Sequence, residues 1–182
     1  DTFFIHDSIP CVKEAYFIEA ISSIDSRETF SDSIQLTPFD TVAPAAPNMN
    51  YVSALNNQSL ELDFELSTSS DANTYYIHQS LKGAPFAIID TLLRPDISEL
   101  NRSYNTPLDS GSYCYYIIAE DSCAQNLSIP SDTHCVNYLS SSISGCTQEI
   151  ELNLSGYEGW TSVSKYRIFR GINDSSTALY DS

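Results

Sequence analysis

The stretch "SLELDFEL", residues 59–66, alternates strictly between apolar and acidic side chains after its opening serine. Leu60, Leu62, Phe64 and Leu66 share one face; Glu61, Asp63 and Glu65 share the other. A period of two with one charged face predicts an antiparallel strand, buried on one side and wet on the other. The pattern recurs in "AYFIEAI" (Tyr16, Ile18, Ala20), in "YCYYIIA" (Tyr113, Tyr115, Ile117, Ala119) and in "EIELNLS", which places Ile150, Leu152 and Leu154 inside. The runs "LKGAP", "LDSG", "SGYEG" and "FRGIND" supply turns. No stretch sustains apolar residues at i, i+3, i+4 and i+7, so the chain reads as all-β.

The strands repeat. "AYFIEAISS" aligns with "CYYIIAEDS", Ala20 on Ala119, a shift of 99. "SDSIQL" and "SDTHCV" follow at nearly the same distance. "LELDF" aligns with "IELNL", Leu62 on Leu152, a shift of 90, and "TYYIHQS" with "KYRIFRG", Tyr75 on Tyr166, a shift of 91. Such a period, filled by short strands, predicts an array of β-sandwiches. The first matches cover the end of a unit and the second its start. The expected division is the tail of one unit at 1–39, a Pro-rich linker at 40–46, a complete unit at 46–139 and the head of a third at 140–182. "DTVAPAAP", residues 40–47, is the joint: Pro44 and Pro47 hold the backbone extended and remove amide donors where strands would otherwise meet edge to edge.

These residues resemble fibronectin type III domains. The sixth strand of that family reads Tyr-x-apolar-x-apolar-x-Ala, matched here by Tyr113, Tyr115, Ile117 and Ala119. The resemblance places Tyr113 at the corner tyrosine, whose hydroxyl bonds back across the preceding loop; the first unit has Glu14 there. Phe64 and Leu154 replace the family's core tryptophan. The fold implied is a tandem of immunoglobulin-like sandwiches with the outer two units incomplete. "GCTQEIELNLSGYEGW", "VSKYRIFRG" and "YCYYIIAEDSC" further resemble large surface proteins of Bacteroidota, many of which end in a gliding motility-associated C-terminal domain and leave by the type IX secretion system. That resemblance implies an extracellular or cell-surface location.

Charge narrows the partners. The chain of 182 residues has 24 acidic and 8 basic side chains, net −16. It lacks the clustered cations that nucleic acid or anionic lipid require. No apolar run nears the roughly 18 residues of a membrane span. The acidic surface leaves room for loose calcium binding but names no cofactor. With Asp1 first and Met49 the only methionine, the chain reads as part of a longer polypeptide.

Catalytic patterns are missing. His6, His78 and His134 have no nucleophile at a motif spacing, and no G-x-S-x-G elbow, H-E-x-x-H helix or Gly-rich phosphate loop occurs. His134 neighbours Cys135, yet strand neighbours point to opposite faces. Glu61, Asp63 and Glu65, about 7 Å apart along one face, line an open sheet and not a cleft. Tyr157 and Trp160 flank "SGYEGW", and Tyr116 points away from the core set. Such aromatics serve either to stack on sugars or, for Trp160, to pack at the sandwich end against the next unit.

Cys114, Cys123, Cys135 and Cys146 are spaced by 9, 12 and 11 residues, which fits no zinc motif. Outside the cytoplasm disulfides are the natural reading, with buried thiols the alternative. A Cys123–Cys135 bridge would tie the last hairpin of the middle unit; Cys114–Cys146 would cross the second joint. The Bacteroidota pattern Asp-Ser/Thr-aliphatic marks Ser8, Ser33, Thr41 and Thr91 for O-glycosylation, Thr41 foremost because it lies in the linker. Asn101-x-Ser103 would matter only in a eukaryotic secretory pathway. The expected function is a non-catalytic spacer or adhesive region of a secreted or surface protein. Its partners would be neighbouring domains and, as an adhesin, surface glycans or proteins. The alternative is an accessory linker or carbohydrate-binding region of a polysaccharide-degrading enzyme. A cytokine-receptor ectodomain is weaker, since Trp-Ser-x-Trp-Ser is absent.

Overall fold

The computed structural model describes residues 5, 13–37, 39–93, 101–123, 125–145, 149–172 and 175–181, with backbone only at 144, 172 and 175–181. The described chain is all-β, broken only by a 3-10 turn at Leu108–Ser110.

Residues 48–135 carry seven strands: β5 (Asn48–Asn56), β6 (Ser59–Glu65), β7 (Ala72–Leu81), β8 (Ala87–Leu93), β9 (Asn101–Asn105), β10 (Tyr113–Asp121) and β11 (His134–Cys135). They form a three-stranded sheet, β5-β6-β9, and a four-stranded sheet, β11-β10-β7-β8, with every pairing antiparallel. This is the strand order of an immunoglobulin-like or fibronectin type III sandwich.

The alternation in "SLELDFEL" builds its core. Leu60, Leu62 and Phe64 have no exposed surface and face Tyr75, Ile77, Tyr115, Ile117 and Ala119 of the other sheet, with Met49, Val52, Leu92 and Val136 closing the rim. Each large side chain buried this way contributes about 1.5–3 kcal/mol. Phe64 thus takes the place of the core tryptophan. The acidic face is tied down in part: Asn50 Nδ2 donates to Asp63 (2.7 Å) and the Tyr51 hydroxyl to Glu61 (2.8 Å). Tyr113 packs beside the core, but among the described residues its hydroxyl makes no hydrogen bond, so the expected corner bond does not occur there. Tyr115 is the hydrogen-bonded tyrosine of this strand, with Gln79 and Thr106.

The flanking strands occur in pairs. β1 (Glu14–Tyr16) pairs with β4 (Ile34–Leu36), and β2 (Glu19–Ile21) with β3 (Glu28–Phe30). On the other side β12 (Leu139–Ser144) pairs with β13 (Glu149–Leu154), and β14 (Ile168–Ile172) with β15 (Ser175–Asp181). Ile150, Leu152 and Leu154 do share one face, but that face is not inside: they are 66%, 47% and 45% exposed. Among the described residues this hairpin has no second layer against which to bury its apolar side.

Two tyrosines that align in the sequence make similar bonds. Tyr75 accepts the Ser67 amide on its hydroxyl (3.2 Å), and Tyr166 accepts the Tyr157 amide (2.8 Å). Tyr75, in β7, and Tyr166, just ahead of β14, therefore each clip the segment that precedes them in the chain.

The cysteine pairing differs from expectation. Cys114 and Cys135 are bridged, with Cα atoms 4.0 Å apart. This excludes both Cys123–Cys135 and Cys114–Cys146. The reason is register. Cys114 lies directly opposite Cys135, and the ladder bonds fall on the flanking pair Tyr113–Val136, so the two cysteines occupy a non-hydrogen-bonded pair, where Cβ atoms approach most closely. Cys123 is itself a disulfide cysteine. Ser8, His6 and Cys146 lie outside the described residues.

Candidate functional site

The strongest constellation lies where the C-terminal strands meet the sandwich. β5 and β11 are edge strands of opposite sheets. The segment Tyr157–Trp160, ahead of β14, fills the gap between them. Trp160 donates its indole N–H to the Asn50 carbonyl (2.8 Å). The Tyr157 hydroxyl accepts the Val52 amide (2.9 Å) and lies 2.8 Å from His134 Nδ1. The Cys135 amide donates to the Glu158 carbonyl (3.0 Å), and the Glu158 carboxylate pairs with Lys82. Orphan backbone groups of both edges are thus satisfied by this one turn, which covers edges that would otherwise invite foreign strands.

Local chemistry explains why this turn fits. Gly159 has φ +124°, and a Cβ there would sit 2.3 Å from the His134 ring, so only glycine lets the turn close on the histidine. His134 is 2% exposed. Burial lowers its pKa, against an opposing push from Asp132. The Tyr157 hydroxyl thus joins the Val52 amide to His134 Nδ1, and the imidazole tautomer sets which of the two side chains donates across that contact. Burial raises the Tyr157 pKa, and the Val52 amide partly offsets this. The Tyr157 and Trp160 rings lie 4.2 Å apart. Trp160 therefore packs at the β5 edge of the sandwich while staying 51% exposed.

Beside this turn runs an open groove of about 790 Å³. Its walls include Tyr51 and Ser53 of β5, Glu61 of β6, and Trp160, Lys165 and Arg167. Lys165 and Arg167 escaped sequence reasoning, although "KYRIFR" holds three of the chain's eight basic residues.

The first joint is built from carboxylates. Asp40 of the linker, Asp71 and Asp121 place oxygens within 4.8 Å of one another. Asp121, 3% exposed, accepts from Asn126 Nδ2 (2.8 Å) and the Cys123 amide (3.1 Å). Asn126 Nδ2 also reaches the Asp40 carbonyl (3.3 Å), and Ser69 Oγ accepts the Ala45 amide (2.9 Å). Pro44 and Pro47 are buried against the sandwich, so they are anchors as well as stiffeners.

The remaining candidates stay apart. His78 stacks on Tyr116 (4.4 Å, 18°) with Phe86 on the same ring (4.6 Å), on the outer face of the four-stranded sheet. Burial lowers the His78 pKa. Cys135 is held in its disulfide and His134 faces Tyr157, so the two form no thiolate pair. Ser33, Thr41 and Thr91 are exposed, and no helix among the described residues is long and apolar enough to cross a membrane.

No family model and no curated protein match the chain. Solved structures do. A segment of titin is 21% identical with a TM-score of 0.46, over 56% of this chain and 34% of that one. An Fn3-like protein from Clostridium thermocellum is 19% identical with a TM-score of 0.40, over 53% of this chain and 95% of its own. A beta-1,2-glucanase from Parabacteroides distasonis is 18% identical with a TM-score of 0.39, over 63% of this chain and 16% of that enzyme. The chain thus spans about a third of the titin segment's length. The immunoglobulin-like and fibronectin type III class is defined by the strand order of the two sheets.

Proposed function

We propose that this chain is a non-catalytic spacer region of a secreted or cell-surface multidomain protein, with the tail of one sandwich unit at 1–39, a complete unit at 46–139 and the head of a third at 140–182. The observation that carries the reading is the docking of Tyr157, Glu158 and Trp160 on both edges of the preceding sandwich. A freely jointed string would not commit a buried histidine, a glycine-only contact and an indole N–H to one joint. Stiff joints let a tandem array hold a distal domain away from a surface. The Cys114–Cys135 bridge supports an oxidising, extracellular setting. The resemblance of the strand motifs to Bacteroidota surface proteins supports a type IX secretion substrate of the gliding-associated kind, with Thr41 as the foremost O-glycosylation site and Ser8, Ser33 and Thr91 behind it.

The test is replacement. In the full-length protein, residues 40–182 are exchanged for an unrelated tandem sandwich of equal length. Retained surface display and function support the spacer reading. Loss of function with display intact shows that the region carries a ligand of its own.

A further inference from the structure

We infer that the groove between β5 and the segment 160–169 binds an acidic oligosaccharide, with Trp160 as stacking platform and Lys165 and Arg167 as partners for its carboxylates.

Three independent observations converge. The first is shape: about 790 Å³, open, and within the size range of ligand clefts. The second is a preset aromatic wall. The Trp160 ring is pinned by Asn50 at its indole nitrogen and by Tyr157 at 4.2 Å, yet half its surface stays exposed. A ring already fixed loses little freedom on binding, and Tyr51 adds a second ring to the wall.

The third is charge. In a chain of net −16, a cation is surrounded by candidate partners. Lys82 pairs with Glu158 and Arg27 with Asp25, yet among the described residues neither Lys165 nor Arg167 makes an ion pair. Two unpaired cations on an aromatic groove attract an anion that the rest of the surface repels. A uronate-bearing sugar satisfies all parts of the wall. Its C–H face stacks on the indole, its carboxylate meets the Arg167 fork or the Lys165 ammonium, and its hydroxyls donate to Glu61 and Ser53. The site does not rest on the spacer reading, which stands whether or not the groove is occupied.

The experiment titrates the 182-residue chain with tetramers of galacturonate, glucuronate and mannuronate, with cellotetraose as the neutral control and a Glu-rich octapeptide as the competing anion. Calorimetry measures affinity, and the Trp160 indole resonance reports the site. At least one uronate tetramer should bind, shift the indole signal, and exceed cellotetraose and the peptide by roughly tenfold or more. Because Trp160 also holds the joint, the decisive variant is Lys165→Gln/Arg167→Gln, which touches only exposed side chains. It should cut uronate affinity by roughly tenfold or more while leaving thermal stability unchanged. No binding of any uronate at millimolar concentration, equal binding of cellotetraose or the peptide, or an unaffected double variant would overturn the assignment.

Discussion

Ser131 holds Ile117 with two hands: its amide donates to the Ile117 carbonyl (2.9 Å), and its hydroxyl accepts the Ile117 amide (3.0 Å). The side chain stands in for the serine's own carbonyl where the strand veers from the ladder. One unit earlier Ser31 holds Ile18 in the same way, at 2.8 and 2.9 Å. Ser128 with Ala119 and Ser155 with Tyr138 repeat the device. Ser131→Ala leaves a buried amide without an acceptor and should cost about 1–3 kcal/mol. Ser31→Ala, at an exposed site where water can substitute, should cost less than about 1 kcal/mol. Urea denaturation of the two variants measures the difference; equal effects would contradict the surrogate role.

Gly159→Ala should undo the second joint. The new methyl meets the His134 ring at 2.3 Å, in a backbone region that alanine avoids. The Trp160 indole resonance should lose its hydrogen-bonded shift, while the core methyls of Leu60 and Ile117 keep theirs. Retention of the indole shift would show that the turn tolerates a side chain.

The joint should also weaken in acid. His134 has a folded pKa lowered by burial, so its contribution is complete above its unfolded pKa, about 6.5. That contribution is lost as pH falls through the folded value. Protonation makes Nδ1 an obligatory donor toward Tyr157 and places a charge in a buried site. Asp132 opposes this by favouring the cation, and the Lys82–Glu158 pair lies on the same turn. His78, also lowered by burial, acts in the same direction on stability but is remote from the joint. The Trp160 signal therefore separates them: it should titrate in the wild type and become pH-independent in His134→Phe.

Reduction of Cys114–Cys135 should cost about 3 kcal/mol, given its sequence separation of 21. Peptide mapping without reductant should recover these two cysteines linked. Recovery of Cys135 linked to Cys123 would contradict the register described above.

Much of the sandwich was legible because burial follows a period of two: Leu60, Leu62 and Phe64 declare their face locally. The covering of a face is not local. Ile150, Leu152 and Leu154 have the same alternation, yet nothing in the heptapeptide says whether a second layer exists. The cysteines failed for a related reason. Proximity in strand order favoured Cys123 with Cys135, whereas bridging depends on register, set by the serine clips between β10 and β11. His134 was correctly separated from Cys135 by strand geometry, but its true partner, Tyr157, lies 23 residues on and meets it only through the turn at Gly159. The groove cations were visible as a charge inversion in "KYRIFR", but their convergence with Trp160 needed three dimensions.

At the first joint, Asp40, Asp71 and Asp121 bring carboxylate oxygens within 4.8 Å of one another, where like charges repel. Without divalent cation, Asp71→Asn should raise the unfolding midpoint by a few degrees, about 1 kcal/mol of relieved repulsion. Loose calcium binding, if these oxygens provide it, should raise the wild-type midpoint and not that of the variant. An unchanged or lowered midpoint for the calcium-free variant would contradict the repulsion.

Residual dipolar couplings measure whether the second joint is stiff. Amides of residues 48–136 and of 149–160, measured in one alignment medium, should fit a single alignment tensor of common magnitude at pH 7.5. Two tensors of clearly different magnitude would mean that the units reorient freely, and the account of Tyr157, Glu158 and Trp160 as a lock would be wrong.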